Sequence, residues 1–271
     1  MMKPLILTGL SVAILLLAQA PSSLAQDEKP SPSPNEKAEQ VRQRALKVVG
    51  GDRYLQVKTQ IGRGFFTEFR DGVSGLPIKF VDYIAYPDKE RTEFTGGGAR
   101  TVQTNFRGGG WIYDGAALTL KDQTPQQLEE FTLVTRVTIE NLLRGGWREQ
   151  GATLSYVGRR EAGIGRRNEV VRLSYPDGFW VEYEFAADDG MPAKVLYQRK
   201  QKNRDTEEED VIKEEDRIHK QINLDGILTP LIIDHYRNGV QTSRIGYETV
   251  EYNKPIADSF FAKPANIKAI K

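Results

Sequence analysis

The chain has 271 residues, with 38 Lys and Arg against 37 Asp and Glu, and 39% of its residues are hydrophobic. This is the composition of a globular protein, and a net charge of +1 gives no electrostatic reason to expect a nucleic-acid partner. The absence of Cys and the presence of only two His exclude disulfides, thiolate metal sites, a Cys nucleophile and a three-His metal site within one chain. We therefore expect no nucleic-acid partner, no metal and no cofactor.

Residues 1–25 have the features of a secretory signal peptide. Lys3 supplies a positive charge, residues 5–18 form an uncharged and mostly apolar run, and small residues precede Gln26. A retained membrane anchor is the alternative, but the run is shorter than the roughly 20 residues of a spanning helix. We predict cleavage near Ala25, with a cut after Ala20 as a second option. The mature chain is then expected to be soluble, exported to the periplasm and without a transmembrane segment.

Residues 26–34 are rich in Pro and Ser and carry charges, which predicts an extended linker with no core of its own. No similar segment divides the remainder of the chain. Residues 35–271 are numerous enough for one large domain, so we predict a single domain there.

A first helix is predicted after the linker, with Asn35 as its N-cap and Gly50-Gly51 at its end. From Tyr54 onwards the apolar residues recur with a period of two, and turn signals such as Asn238-Gly239 separate the runs. The strands predicted in this way are 54–61, 65–69, 78–86, 91–95, 101–106, 111–113, 153–157, 168–175, 179–185, 193–199, 227–236 and 242–252. About a dozen strands with hairpin-like spacing predict a large antiparallel sheet, curved or closed.

Residues 124–144 fit two interpretations. Thr124, Pro125 and Gln127 form a helix start, with an N-cap, a proline at the first position and a capping-box partner. The segment is also rich in β-branched residues that alternate as in a strand. We predict a helix because the start signals and the length fit a helix better.

Two glycine clusters, residues 96–98 and 108–110, lack the Lys and the following helix of a phosphate-binding loop, and they predict turns or bends in a sheet. His219 lies in a charged stretch and is expected to be solvated. His235 follows Asp234 on a predicted strand, and neighbouring strand residues point to opposite faces. We therefore interpret His235 as a structural histidine and not as a catalytic base oriented by Asp234.

Glu182 and Glu184 lie two residues apart on a predicted strand and share a face. Glycosidases use paired carboxylates, but the alternation favours the polar face of an amphipathic strand, and we expect that the protein is not an enzyme. Residues 200–220 mix charges of both signs, which predicts a solvated hairpin tip or extended strand pair and weakly indicates a charged partner.

Aromatic residues are spread over the predicted sheet, and those of residues 179–185 alternate onto one face with Trp180 on the other. Burial in an ordinary core is the first interpretation of such a face. A large curved sheet can also enclose an apolar cavity that holds a ligand. The candidate ligand-binding residues, taken as an apolar lining, are Trp111, Tyr113, Leu128, Phe131, Phe179, Val181, Tyr183 and Phe185.

The order of these features resembles the lipoprotein-carrier superfamily, the LolA/LolB-like outer-membrane lipoprotein-sorting proteins. The resembling features are the signal peptide without a lipobox Cys, the helix that ends at residues 46–51, the segment 110–115, the predicted helix 125–144, the turn 190–195 and the C-terminal segment 260–264. The resemblance extends over most of the chain after the signal peptide, through short motifs.

The resemblance implies an α+β, mostly β fold, in which a large curved antiparallel sheet, a half-barrel, wraps around one or two helices. It also implies a soluble periplasmic carrier or binding protein for a lipid, an acyl chain or a lipoprotein, held on the apolar concave face. The alternative is a non-enzymatic envelope sensor or scaffold module that binds a protein partner through the same fold.

Overall fold

The computed structural model describes residues 33–106, 108–202 and 208–270, so the predicted signal peptide and most of the predicted linker lie outside the described residues. The helices are α1 (Pro34–Val49), α2 (Asp52–Leu55), α3 (Pro125–Val137) and α4 (Ile139–Arg144), with short 3-10 helices at Gly146–Arg148, Asp258–Phe260 and Ile267–Ala269. The strands are β1 (Thr59–Arg70), β2 (Val73–Ser74), β3 (Ile78–Ala85), β4 (Lys89–Gly96), β5 (Ala99–Phe106), β6 (Gly109–Asp114), β7 (Thr119–Asp122), β8 (Thr153–Glu161), β9 (Arg167–Ser174), β10 (Trp180–Ala186), β11 (Pro192–Lys202), β12 (Glu209–Leu224), β13 (Ile227–Arg237) and β14 (Val240–Tyr252).

The strands of the described residues form one open antiparallel sheet, with the order β7-β6-β5-β4-β3-β1-β14-β13-β12-β11-β10-β9-β8 and β2 paired to β1. The chain starts in the middle of the sheet at β1 and builds one half outwards to β7. Helices α3 and α4 then cross to the far edge, and the chain returns strand by strand from β8 to β14, beside β1. The predicted fold class, a large antiparallel half-barrel around few helices, is confirmed.

Helix α1 begins one residue before the predicted N-cap. Ser33 is the N-cap, and its backbone N–H and hydroxyl exchange hydrogen bonds with Glu36 at 2.7 and 3.3 Å. The prediction that Asn35 caps the helix is wrong, because Pro34 already occupies a first-turn position, where its missing N–H costs nothing. Gly50 ends the helix as predicted, with a φ of 128° that favours glycine.

The prediction of two strands, 54–61 and 65–69, is wrong at the start of the first strand and in the break between them. Tyr54 lies in the short helix α2, and β1 starts at Thr59 and runs unbroken to Arg70. Gly62 lies inside the strand and not in a turn. A larger residue does not fit there, because a Cβ would come within 2.4 Å of the Tyr247 ring. The short strand β7 is absent from the sequence prediction.

The predicted helix over residues 124–144 is confirmed but is interrupted at Thr138. Its start has the predicted capping box between Thr124 and Gln127. Thr138 is extended, with a ψ of 150°, and its hydroxyl accepts a hydrogen bond from the Asn141 N–H at 3.2 Å. A β-branched residue that caps the next helix therefore divides the segment into α3 and α4.

The hydrophobic core fills only one half of the concave face. Helix α1 packs on β8, β9 and β13 and contacts α4. The apolar side chains that share this core come from α1, α4 and β8 to β11, among them Ala45, Leu142, Leu173 and Tyr183. No helix among the described residues is both long and apolar enough to span a membrane.

Candidate functional site

A cavity of about 920 Å³ lies between helices α3 and α4 and the other half of the concave face. Its floor is apolar at the centre. Ile218, Ile233 and Ile245 stand directly opposite one another on β12, β13 and β14, and all three line the cavity. The volume lies at the upper end of the range for small-molecule sites, about 300–1,000 Å³.

Helix α3 is the roof of this cavity and buries little of itself. Only Val137 of its residues is buried, and Val134 is 48% exposed. Leu128, Phe131 and Val134 nevertheless line the cavity. An apolar helix face that lies over an apolar floor without filling it leaves room for a guest molecule.

Arg144 closes one end of the cavity by joining α4 to the start of the sheet. Its guanidinium donates hydrogen bonds to the backbone carbonyls of Leu55, Val57 and Tyr54 at 3.3, 3.1 and 2.9 Å. The same group lies over the rings of Tyr54 and Tyr86, at 4.8 and 4.2 Å from their centroids. The positive charge of Arg144 thus already contacts backbone carbonyls and aromatic rings of the protein itself.

Carboxyl groups project into the cavity from two walls, Asp82 and Glu90 from β3 and β4 and Glu140 from α4. Asp82 is 6% exposed and accepts a hydrogen bond from the Thr92 hydroxyl at 2.8 Å. Burial raises the pKa of Asp82 to about 6. Burial, followed by the negative charge of Asp82, raises the pKa of Glu90 to about 8, and burial also raises the pKa of Glu140.

Tyrosines surround these carboxyls. The Tyr86 hydroxyl donates to the Gln60 amide oxygen at 3.3 Å, and the Tyr252 hydroxyl lies 2.8 Å from the Thr229 hydroxyl. The Tyr54 hydroxyl is buried and has no hydrogen-bond partner in the described part of the chain. Burial, then the charge of Glu140, holds the pKa of Tyr54 well above its ordinary value.

His235 lines the far wall and pairs with a residue of the neighbouring strand. Its Nδ1 lies 2.5 Å from the Asp216 carboxylate, which faces it across β12 and β13. Burial lowers the pKa of His235, but the hydrogen bond and charge of Asp216 outweigh burial and raise it. Asp234 lies on the other face, 2.6 Å from Arg244, which confirms that it does not orient His235. His219 is half-exposed, as predicted.

Two of the eight predicted lining residues, Leu128 and Phe131, line the cavity. Val181, Tyr183 and Phe185 share the concave face, as the alternation predicted, but each is at most 1% exposed within the core that contains α1 and α4. The sequence shows which face a strand residue occupies, but not which half of that face the helices cover.

The remaining predicted residues also lie outside this lining. Phe179 contacts the rings of Tyr175 and Tyr197, at 5.7 and 6.1 Å between centroids. Trp111 is buried on the convex face, where its indole N–H donates to the Phe261 carbonyl at 2.9 Å. Tyr113, two residues further along β6, shares that face. The ligand-binding role of all eight residues stays a prediction.

Glu182 and Glu184 lie on the convex face, within a network of ion pairs. Arg160 donates to both carboxylates at 2.8 Å, and Arg172 lies 2.5 Å from Glu182. Both glutamates are at most 2% exposed. Burial acts to raise the pKa of Glu182, but the two arginines outweigh it and lower the pKa. The pair is therefore a cross-strand ion network on the polar face, as the alternation indicated, and does not flank a cleft.

Sequence analysis did not identify Asp82, Glu90 or Glu140 as candidate site residues. A signal was present for Asp82, which alternates with Phe80 and Ile84 on a predicted strand and so places a charge on an apolar face. Glu90 and Glu140 have no such signal, because their surroundings are set by strand pairing and by the helix crossover.

No protein-family model and no curated protein matches the chain. Its fold is similar to that of a DUF1329 family protein from Desulfovibrio piger (TM-score 0.56, 11% identity, covering 85% of this chain and 98% of that chain). It is also similar to a putative outer membrane lipoprotein-sorting protein domain from Vibrio parahaemolyticus (TM-score 0.54, 10% identity, 83% and 97%). A third similar structure is a LolA superfamily protein from Nitrosomonas europaea (TM-score 0.54, 12% identity, 83% and 97%). The chain has a LolA-like fold, and the resemblance is confirmed at that level.

Proposed function

We propose that this protein is a non-enzymatic periplasmic carrier or binding protein that shelters the apolar chain of a lipid, an acyl chain or a lipoprotein. The observation that carries the proposal is the unfilled apolar space between the roof helix α3 and the row of Ile218, Ile233 and Ile245. The predicted signal peptide, with cleavage near Ala25, supports the periplasmic location.

Burial of apolar surface supplies the binding free energy in this proposal, and no cofactor is needed. Each methylene group that leaves water contributes about 0.8 kcal/mol. A dodecyl chain therefore gains on the order of 10 kcal/mol, from which the cost of association, about 4–15 kcal/mol, is subtracted. Longer or paired chains bind more tightly, which favours a lipid-like cargo.

The similar structures support the choice of cargo class. One of them is described as a putative outer membrane lipoprotein-sorting protein domain, and it shares the fold over most of both chains. A half-barrel of this kind is a suitable scaffold for an acyl chain, because the curved sheet presents one long apolar face.

Two isoleucines on strand β12 provide a matched test. Ile218 lines the cavity, whereas Ile222 lies on the same strand outside that lining and is 37% exposed. We expect Ile218→Trp to fill the cavity and weaken binding of the fluorescent probe N-phenyl-1-naphthylamine by about 10-fold or more, which is about 1.4 kcal/mol.

The control variant Ile222→Trp adds the same bulk outside the cavity and should bind the probe as the native chain does. Titrations of the three proteins, each checked for folding by circular dichroism, make the comparison. Equal binding by Ile218→Trp and Ile222→Trp, or no binding by the native chain, would contradict the proposed function.

A further inference from the structure

The cavity wall carries more acidic than basic side chains among the described residues. The acidic ones are Asp82, Asp88, Glu90, Glu140, Glu149 and Asp216, and the basic ones are Lys89, Arg144 and His235. Each basic group is already engaged by the protein. Lys89 lies 2.7 Å from Asp258, Arg144 is held by backbone carbonyls, and His235 is paired with Asp216.

Asp82, Glu90 and Glu140 form no ion pair with a Lys, Arg or His in the described ranges. Asp82 is buried, and Glu90 and Glu140 are half-buried. Removal of a carboxylate from water without a cation is expensive, and buried charges in proteins are normally paired. On the convex face this same chain supplies arginines to its buried glutamates, as Arg160 does for Glu184. Among the described residues, these three carboxyls therefore mark a position on the concave face that a cationic ligand group can complete.

The Tyr54 hydroxyl indicates independently that a polar ligand group belongs here. Tyr54 is 8% exposed and lines the cavity, and its hydroxyl has no hydrogen-bond partner among the described residues. Glu140 is close enough for its charge to raise the pKa of Tyr54, and the Arg144 guanidinium beside the Tyr54 ring has a smaller, opposite effect. Buried hydroxyls are normally hydrogen-bonded, so one without a partner among the described residues can accept a hydrogen bond from a ligand group in the cavity.

We propose that the cargo carries a primary ammonium group next to its apolar chain, and that this group docks at the carboxyls of Asp82, Glu90 and Glu140. An ammonium has N–H donors and no acceptor, which matches carboxylate oxygens and the free hydroxyl oxygen of Tyr54. Tyrosine rings that line the same cavity, Tyr86 among them, add faces that attract a cation. This inference rests on the proposed function, because the apolar chain has to occupy the cavity.

A cargo with ester or amide carbonyls is the competing chemistry, and pH separates the two. Carbonyl oxygens accept hydrogen bonds from protonated carboxyls, whereas an ammonium group binds to ionised ones. The raised pKa values of Asp82 and Glu90 mean that these groups lose their protons between about pH 6 and 8. Affinity for an ammonium cargo should therefore rise from pH 5.5 to 8.5, while affinity for a carbonyl cargo should fall.

Other titratable and charged groups face the same space and enter the pH dependence. They are Tyr54 from α2, Tyr86 and Asp88 from the β3–β4 turn, Lys89 from β4, Arg144 from α4, Glu149 after it, Tyr197 from β11, Asp216 from β12, His235 from β13, and Tyr247 and Tyr252 from β14. The pH dependence of binding therefore has to be accompanied by a comparison of different ligands at one fixed pH.

The test uses dodecylammonium, dodecanol and dodecanoate, each below its micellar concentration, as competitors of N-phenyl-1-naphthylamine. At pH 8.5 we expect dodecylammonium to bind about 10-fold tighter than dodecanol, a difference of about 1.4 kcal/mol. A chain with Asp82→Asn, Glu90→Gln and Glu140→Gln should lose this preference and keep its affinity for dodecanol. Glu248→Gln, at an exposed position of β14, is the matched control and should behave as the native chain.

If the triple variant does not fold, two measurements replace it. They are the same competition with the single variant Glu90→Gln, and a calorimetric count of the protons released when dodecylammonium binds at pH 7. Equal binding of dodecylammonium and dodecanol, or tighter binding of dodecanoate, would overturn the ammonium site and leave the carrier function standing. Failure of all the alkyl probes to bind would overturn the carrier function as well.

Discussion

Buried carboxyls occur on both faces of the sheet, in opposite electrostatic settings. On the convex face, Glu182 is 2% exposed and bonded to Arg160 and Arg172, and its pKa is lowered. On the concave face, Asp82 is 6% exposed and has no ion pair among the described residues, and burial raises its pKa to about 6. A buried carboxylate thus stabilises the sheet on one side, whereas on the other side burial disfavours the charged form of the carboxyl group.

The difference follows from what each face can supply. On the convex face, arginines of neighbouring strands lie along the sheet with their guanidinium groups partly in water, as the 38% exposed side chain of Arg160 shows. The cavity on the concave face lies beneath α3 and α4, and Arg144, the arginine that lines it among the described residues, is committed to backbone carbonyls. Glu214, on the same concave face as Asp216, is paired with Arg199 and Arg237, whereas Asp82, Glu90 and Glu140 have no such pair among the described residues. We infer that the cargo compensates their charge.

The largest effect is expected from breaking the convex network. Glu184→Ala removes a fully buried carboxylate that is bonded to Arg160 and Asn168, and so leaves their donors unpaired. We expect the free energy of unfolding to fall by about 3 kcal/mol. Urea denaturation at pH 7.5 measures it, and a loss below about 1 kcal/mol would mean that the network does not stabilise the sheet.

The next effect is a pH dependence that comes from the concave face. Because the pKa values of Asp82 and Glu90 are raised in the folded state, the contribution of these two groups to stability is full below about pH 4 and is lost as pH rises through about 6 and 8. Between pH 5 and 8.5 the ligand-free native chain should lose about 2 kcal/mol relative to a chain with Asp82→Asn and Glu90→Gln. The lowered pKa of Glu182 acts only below about pH 4.5, where its contribution is lost. Parallel pH profiles of the two proteins would contradict the assignment.

A smaller effect, of opposite sign to that of Glu184→Ala, is expected from Glu90→Gln alone. The amide fills the same space without a charge, so at pH 8.5 the ligand-free protein should gain about 1 kcal/mol in its free energy of unfolding. Thermal unfolding at pH 8.5 and at pH 5 makes the comparison, and the gain should shrink at the lower pH. Destabilisation at pH 8.5 would show that Glu90 has a partner that stabilises its charge.

The smallest effect is expected at an exposed ion pair beyond the buried network. Lys200 lies 2.8 Å from Glu209, but both side chains are more than 60% exposed. Lys200→Ala should leave the unfolding midpoint unchanged, because exposed pairs contribute little in water. A clear shift would mean that pairing alone, and not burial, distinguishes the two faces.

Much of the sheet could be predicted from the sequence, since strand alternation and glycine turns are local signals. The alternation of residues 179–185 correctly places Val181 and Tyr183 on one face and Trp180 on the other. On that other face, the Arg172 guanidinium lies 4.6 Å from the centroid of the Trp180 ring. The alternation of residues 54–61 predicts a strand at Tyr54, but Tyr54 lies in a helical turn, where it contacts Arg144 and the core.

The cavity could not be predicted, because it is defined by what the helices leave uncovered. Tyr183 and Ile233 both occupy the concave face, and both belong to alternating runs of the sequence. Tyr183 lies beneath helices and Ile233 beneath open space, since α1 and α4 lie over the half of the sheet that begins at β8. That choice depends on contacts between residues far apart in the chain, which a period of two does not encode.

The most direct test of the carrier function is mass spectrometry of the protein purified from its native compartment without detergent, before and after organic extraction. The proposed function predicts a stoichiometric molecule with an apolar chain, released on extraction and absent from the Ile218→Trp variant. A protein that is empty on purification, and still empty after incubation with membrane lipids, would contradict it.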